Sequence, residues 1–253
     1  MTNRSNGLAE KSAAKPSRDS CRDMPANVRW SVIIPVLNEA DIIREALSRL
    51  QPLRSQGIEI VVADGGSTDG SPNLAREFVS SIVRAPKGRA AQMNAGASVA
   101  TGGYLLFLHI DTRLPENALL ALTKVFESQA AWGRFDVRLS GNRPLLRIVE
   151  TLMNWRSRLT GIATGDQAIF VRRDIFERIG GFPEIPLMED IALSERLKRI
   201  ASPACLLERV ITSSRRWEQN GTVRTILLMW KLRLLYFLGT NPAKLAAAYY
   251  RHD

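Results

Sequence analysis

The chain has 253 residues, 45% of them hydrophobic, enough to bury one large core or two small ones. Its two cysteines, Cys21 and Cys205, stand far apart with no CxxC spacing, which argues against a disulfide framework or a zinc site and for a reducing compartment. The net charge of +10 is uneven: residues 1–28 carry five basic and three acidic side chains, residues 29–195 nineteen of each, and residues 196–253 eleven and three, so the last quarter alone holds +8. An excess confined to one segment points to an anionic contact there, such as a lipid surface, phosphates or nucleic acid.

Residues 1–28 are polar and lack the apolar run of a signal peptide; they read as a disordered tail. No apolar stretch reaches the ~18–20 residues that span a bilayer. From there strand and helix alternate. WSVIIPVLNE (30–39) reads as a buried strand that stops at Pro35, and ADIIREALSRLQPL (40–53) shows a helical apolar face. IEIVVADGG (58–66) is a second strand. SPNLAREFVSSI (71–82) is a helix with Ser71 as N-cap and Pro72 at its first position. SIVRAP is a short strand, RAAQMNAGASVA a helix closed by Gly102-Gly103, YLLFLHID (104–111) a strand and ENALLALTKVFES a helix.

Four alternations in about 100 residues are the pattern of a doubly wound, mostly parallel α/β sheet. Ligands of such sheets sit beyond the carboxyl ends of the strands. Asp64 stands where a strand leaves the core, and Gly65-Gly66 let the backbone turn sharply beside a ligand. After residue 130 the pattern loosens: WGRFDVRLS resembles a strand, LLRIVETLMNWRSRLTG an amphipathic helix, and DQAIFVRRDIFERIGGF a strand, a helix and a Gly-Gly stop.

Carboxylates recur at or after strand ends: Glu39, Asp64, Asp111 and the pair Glu189-Asp190. Asp111 suits Mg²⁺ or Mn²⁺, which take one or two carboxylates plus substrate phosphates, and equally an Asx-turn before the next helix. His109 is a second candidate metal ligand or a packed histidine. Glu189-Asp190 either compensate a helix N-terminus or supply a general base for an acceptor hydroxyl. Lys87, Arg89, Arg215 and Arg216 can clamp phosphates or form solvated basic loops; Trp217 can stack on a sugar or base.

The order of these motifs resembles the family 2 glycosyltransferases with the GT-A fold, over about residues 30–217. Pro35, Asn38 and Glu39 match PxxNE; DGGSTDG is close to the commoner DDGSTDG; Gly88, Asn94 and Gly96 match the glycine- and asparagine-bearing segment; FLHIDT resembles the DxD strand; GGFPEIPLMEDIALSERL resembles the acceptor-side segment. The resemblance implies an inverting, metal-dependent hexosyltransferase with a nucleotide-sugar donor, UDP-sugars favoured. It implies donor contacts from Pro35, Asn38, Glu39, Asp64, Gly65, Lys87, Arg89, Asn94, Arg216 and Trp217. Asp111 with His109 would hold Mg²⁺ or Mn²⁺, and Asp190, supported by Glu189, would be the base. Gly65 departs from a common Asp, His109 from the first Asp of DxD, and Ser213 from the Gln of QxxRW, which argues against a processive polymerase. The LHxDT and SSRRW variants resemble a small bacterial subfamily of stand-alone transferases associated with radical-SAM or arsenosugar gene neighbourhoods.

Residues 29–217 thus read as the catalytic domain and 218–253 as a basic amphipathic helical extension. Within it 222–239 is about 25 Å long if helical, with Arg224, Lys231 and Arg233 near one face. It either lies on an anionic membrane or packs on the catalytic domain or a second subunit in a homodimer. The expected location is cytoplasmic, peripheral at the inner face of the cell membrane, with a small-molecule or lipid-linked acceptor. A sugar-phosphate nucleotidyltransferase would need a glycine-rich basic loop after the first strand, where PVLNEAD stands. A nucleic-acid-binding protein would need basic residues interleaved with aromatics, against the neutral middle region, so no nucleic-acid partner is expected. A non-catalytic membrane-docked relative is the remaining alternative, opposed by retention of Asp111 and Asp190.

Overall fold

The computed structural model describes residues 30–219 and 221–250, apart from the side chains of Arg216 and Tyr250. The tail expected over 1–28 lies outside the described residues. Seven strands form one sheet: β1 (Trp30–Val36), β2 (Glu59–Asp64), β3 (Ser81–Arg84), β4 (Tyr104–Phe107), β5 (Trp132–Leu139), β6 (Ile169–Arg172) and β7 (Ala204–Thr212), in the order β3-β2-β1-β4-β6-β5-β7. The pairs β1–β2, β1–β4, β2–β3 and β5–β7 are parallel; β6 runs antiparallel to both β4 and β5.

Both faces of the sheet are buried, as parallel strands require. The period-2 alternation of β1 shows how: Val32, Ile34 and Val36 enter one core, Ile33 the other. On the first face pack α1 (Ala40–Ser48), α5 (Ala118–Glu127) and α6 (Pro144–Thr160), through Ile43, Leu47, Leu122, Val125, Val149 and Met153. On the second pack α4 (Arg89–Val99), α7 (Arg173–Arg178) and α8 (Glu189–Lys198), through Met93, Phe176 and Leu193. The α/β doubly wound expectation therefore stands, with one antiparallel strand inserted.

Local expectations shift for identifiable reasons. β1 continues through Pro35, which pairs with Ala63, to Val36. The helix expected over 40–53 breaks at Arg49–Leu50 and restarts as α2 (Gln51–Arg54), because Pro52 cannot donate to the preceding turn. α3 (Ser71–Ala75) is one short turn, and its N-cap is Gly70 at φ +86°, with Ser71 already inside the helix. Helix α4 ends at Val99, before Gly102-Gly103. Strand β4 has four residues; the next segment turns away, with Thr112 N bonded to His109 O at 3.0 Å.

The C-terminal helices α9 (Arg215–Gln219), α10 (Thr222–Phe237) and α11 (Pro242–Tyr250) follow β7. Leu232, Leu245, Ala246 and Tyr249 pack on Ile162, Leu187, Met188 and Ile191, so the extension docks on the start of α8. Arg224 and Lys231 are exposed, but Arg233 turns inward: it lies two residues, about 200° of helix, past Lys231. The expected three-residue basic stripe is therefore a two-residue one. No helix among the described residues is long and apolar enough to cross a membrane.

The second half of the sheet depends on a residue without a side chain. At Gly133 of β5 an added Cβ would stand 2.1 Å from Ala204 O and 2.5 Å from Phe170 Cζ. Gly133→Ala is expected to destabilise the fold by about 3 kcal/mol through overpacking between β6 and β7. Urea unfolding should show a lower midpoint at unchanged m-value; an unchanged midpoint would mean that β7 shifts freely.

Candidate functional site

Two loops are fastened into one wall at the carboxyl ends of β1 and β2. Asp64 ends β2, and its carboxylate accepts from Gly66 N at 3.1 Å and from Ser67 N at 3.1 and 3.2 Å. Asn38 follows β1 at φ +55°, a conformation Asn tolerates better than most residues. Its N donates to Ser67 Oγ at 2.9 Å, and its Oδ1 accepts from Thr68 N at 2.9 Å. Glu39 N donates to Ser71 Oγ at 2.8 Å, and Ala40 N to Asp69 at 2.8 Å. The polar residues of GGSTDG are therefore the buttons that join this loop to NEA.

Beside this wall is a cleft of about 610 Å³, bordered by Asp64, Ser67, Arg76, Ile82 and Arg84. It opens at the ends of β2 and β3, where a doubly wound sheet binds its ligand. Gly65 does not line it. A Cβ there would lie 2.9–3.1 Å from the Gln92 amide, which itself donates to Val36 O at 2.7 Å and Ala63 O at 3.0 Å. This buried amide explains why glycine stands where the DDGSTDG pattern has a second aspartate.

The second wall is the turn that carries His109 and Asp111. It is tied to the end of β7 by Thr112 Oγ1 to Thr212 Oγ1 at 2.9 Å, and by paired backbone bonds between Arg113 and Ile211 at 2.8 and 2.9 Å. That tie sets the Ser213–Trp217 segment beside Asp111. Arg215 opposes, and Asp111 reinforces, the burial that raises the Glu39 carboxyl above its usual range. The first wall, the Asp111 turn and the start of α9 thus share one electrostatic field.

The third wall is the start of α8. Met188, at φ +70° and buried among Ile162, Ile191 and Leu232, turns the chain so that Glu189 and Asp190 open the helix. Asp190 accepts from Gly165 N at 2.9 Å and from Ile191 N at 2.7 Å, which aims its carboxylate. Glu189 is buried; that burial first, and Asp190 next, push its carboxyl up to about 7. His109 lies between the walls. Burial and then Arg89 push it down to about 4, against Asp111 and Asp190, so its imidazole is neutral at neutral pH. The backbone of Gly165 lies on the ring, where a Cβ would stand 2.6 Å from Cε1 and Nε2. Asp166 Oδ1 is 3.8 Å from His109 Nδ1.

Among the described residues no three His, Cys, Asp or Glu side chains form a group that could hold a metal ion. One exposed carboxylate, Asp111, beside a neutral imidazole does fit an ion held mainly by substrate phosphates, since Mg²⁺ keeps several positions for phosphate and water oxygens.

Several expected ligands have other occupations. Asn94 spends its amide on Phe182: Nδ2 donates to Phe182 O and Oδ1 accepts from Phe182 N, both at 2.9 Å. It is a clasp between α4 and the GGF segment. Trp217 packs against the first core, so stacking on a ligand is not its main contact. Pro35 is a half-buried strand residue, and Lys87 is exposed. Arg89 is exposed at the start of α4, and its charge reaches His109 and Glu189. Arg216 lies in α9, with its side chain outside the described residues. Sequence reasoning missed Gln92, Gly165, Asp166 and two arginines, Arg156 and Arg233, whose roles come from residues far away in the chain.

The Glycosyl transferase family 2 model matches residues 31–180. The chain is 26% identical over 249 residues to the probable glycosyltransferase YdaM of Bacillus subtilis, covering 88% of this chain and 57% of that protein. Among solved structures it resembles S. aureus TarS 1–349 in complex with UDP (TM-score 0.61, 18% identity, 74% of this chain and 60% of that one). It also resembles the mannosyltransferase PcManGT of Pyrobaculum calidifontis in complex with GDP-Man and Mn²⁺ (TM-score 0.56, 23% identity, 72% and 56%). The chain thus spans somewhat over half the length of these proteins.

The two displaced groups have opposite signatures in stability. Glu189, raised from about 4.5 to about 7, holds its proton longer when folded, so it destabilises the fold as pH rises through that window. His109, lowered from 6.5 to about 4, destabilises it as pH falls through its own. Between pH ~4.5 and ~6.5 the slopes oppose, each up to about 1.4 kcal/mol per pH unit. Urea midpoints in metal-free buffer should rise with pH in Glu189→Gln and fall with pH in His109→Gln, relative to wild type. Parallel pH profiles in all three proteins would remove these assignments.

Proposed function

Because the chain belongs to glycosyl transferase family 2, we propose that it is an inverting, non-processive hexosyltransferase that moves a sugar from a nucleotide donor to an acceptor hydroxyl. The observation that carries this reading is the convergence of Asp111 and Asp190, from opposite walls, on His109 beside the Asp64 cleft. A donor laid along this edge has its nucleoside in the cleft with Asp64 and Glu39, and its diphosphate toward Asp111 and Arg89. UDP is the favoured nucleotide.

The acceptor oxygen attacks the anomeric carbon as the bond from that carbon to the diphosphate breaks, inverting the centre. The acceptor proton goes to an Asp190 carboxylate oxygen, which two backbone N–H groups hold in place. Glu189 behind it sets the pair's charge by its own protonation. A divalent ion at Asp111 and His109 would neutralise charge on the departing nucleoside diphosphate; Arg89 adds fixed positive charge on the same side.

The same proposal places the enzyme at the cytoplasmic face of an anionic membrane, acting on a small or lipid-linked acceptor. In support, α10 exposes Val223, Leu227, Trp230, Leu234 and Phe237 at helical spacing, Trp230 at 61%, with Arg224 and Lys231 alongside. Helix α6 exposes a second stripe, Ile148, Leu152, Trp155 and Leu159.

With UDP, GDP and ADP titrated with and without Mn²⁺, one nucleotide should raise the melting midpoint in a metal-dependent way, and Asp111→Ala should abolish the shift. Asp190→Asn should keep that shift and lose roughly 10²–10⁴-fold in transfer rate. Transfer by Asp190→Asn at the wild-type rate would refute the base assignment. On vesicles, the protein should sediment with phosphatidylglycerol and not with phosphatidylcholine alone, and Trp230→Glu should release it. A protein that ignores both vesicles but doubles its mass at micromolar concentration would instead use the stripe as a homodimer interface.

A further inference from the structure

Helix α6 displays two kinds of arginine contact. Around β5 two cations share one carboxylate: Arg134, fully buried, bonds Ser157 Oγ at 3.1 Å, Asn154 O at 3.1 Å and Asp136, and Arg158 bonds Asp136 at 2.7 Å. Arg147 bonds Leu139 O and Gly141 O and pairs with Glu150 at 3.2 Å but leaves its Nε without a partner. Arg156, on the same helix, and Arg233, on α10, are only partly exposed, yet their guanidiniums enter no ion pair or hydrogen bond with the described residues. Nε and one Nη of Arg156 and Nε of Arg233 are buried without an acceptor. Buried donors without partners are costly, and cationic ones most of all.

These two side chains are neighbours. Each is disfavoured by burial, Arg156 also by the charge of Arg233, and both are drawn by Asp190. Asp166 also pulls on Arg233, and Arg134 repels Arg156. Packing brings both near the start of α8: Ile162, joined through Thr160 to Arg156 O at the end of α6, lies in one cluster with Leu232, Met188 and Ile191. Leu232, adjacent to Arg233, is buried against Met188 and Ile191, which flank Glu189-Asp190. Asp190 attracts both arginines, but no hydrogen bond or ion pair joins its carboxylate to either side chain; its oxygens accept from Gly165 N and Ile191 N instead. Asp166 faces His109.

We propose that Arg156 and Arg233 form a phosphate-binding subsite, and that the acceptor is a phosphorylated compound whose phosphate they hold while its hydroxyl faces Asp190. Two forked guanidiniums present paired donors to a tetrahedral oxyanion and match the dianion of a phosphomonoester. A carboxylate has half that charge and fewer acceptor positions. The inference rests on the assignment of Asp190 to the acceptor side. It is separate from the donor diphosphate, which lies toward Asp111 and the Asp64 cleft.

The probe is methyl phosphate, titrated calorimetrically into wild type, Arg156→Met, Arg233→Met and the double variant, with acetate as the carboxylate arm and UDP or GDP with Mn²⁺ as the donor-side control. Methyl phosphate should bind wild type, acetate at least about tenfold more weakly, and each variant should lose about tenfold or more in methyl phosphate affinity with nucleotide binding unchanged. In phosphate-free buffer the double variant should melt no lower than wild type, because it removes unsatisfied donors. Methyl phosphate should stabilise only the wild type.

Wild type that binds nucleotide but not methyl phosphate would overturn the subsite and leave the glycosyltransferase reading standing. Loss of nucleotide binding in the double variant would give the arginines to the donor and overturn it too. Acetate binding as tightly as methyl phosphate would overturn the phosphate assignment, and a double variant that melts well below wild type would make the pair structural. If nucleotide fails on every protein while methyl phosphate binds as expected, the donor reading falls and the subsite stands.

Discussion

The carbonyls of Val36, the last residue of β1, and Ala63, the next to last of β2, both accept a hydrogen bond from the buried amide of Gln92. A sheet covered on both faces has polar groups to satisfy only where its strands run out, and here the backbone (Gly65 N to Val36 O, Ala85 N to Asp64 O) and a side chain from α4 do so together. The amide leaves no room for a side chain at Gly65 and so lets β2 turn abruptly after Asp64. The Asp64 turn, the buttons between the two loops and the cleft beside them all follow from that clamp. The geometry of this edge is thus a consequence of how two strand ends are sealed.

The other half of the site depends on β6. Because β6 runs antiparallel between β4 and β5, β4 stops at Phe107, and the next residues bend over the strand ends. The same strand starts just after the Gly165–Gln167 turn, whose first backbone N–H holds Asp190 and whose glycine lies against His109. One topological irregularity therefore positions both Asp111 and Asp190. A purely parallel arrangement would have sent β4 straight into its helix.

The sequence disclosed the first half of this well. Runs such as SVIIPV and EIVVAD, bounded by turn residues, mark buried strands by local signals alone. Asp64, Asp111 and Asp190 could be singled out because they stand at or beyond the ends of recognisable elements. Sequence reasoning misplaced what depends on distant partners. Asn94 reads as a ligand in KGRAAQMN, but Phe182, 88 residues on, takes both its amide atoms. Trp217 reads as a stacking platform and is drawn into the core instead. Arg156, within NWRSRL, reads as one more cation on an amphipathic helix. That Arg134 is neutralised and Arg156 is not depends on where Asp136 points, which no local pattern encodes. The break after Ser48 was legible in principle, since Pro52 removes a donor from that turn; the apolar periodicity hid it.

Charge illustrates the same division. The +8 of the last quarter was visible as a sum, but its parts do different things. Arg224 and Lys231 face outward beside an apolar stripe, whereas Arg233, on the same helix, faces the start of α8 without a partner. Around β5 Asp136 pairs with both Arg134 and Arg158, so leaving two arginines without a carboxylate a few residues away is a local cost that the fold tolerates. Such costs concentrate where a protein must bind something, because a fully satisfied group has little left to offer a ligand. Donors already committed to Asp136 could not receive an anion without losing as much as they gain. Donors held apart by packing, with Asp190 pinned by two backbone amides and Asp166 turned to His109, gain from the first suitable oxyanion that enters.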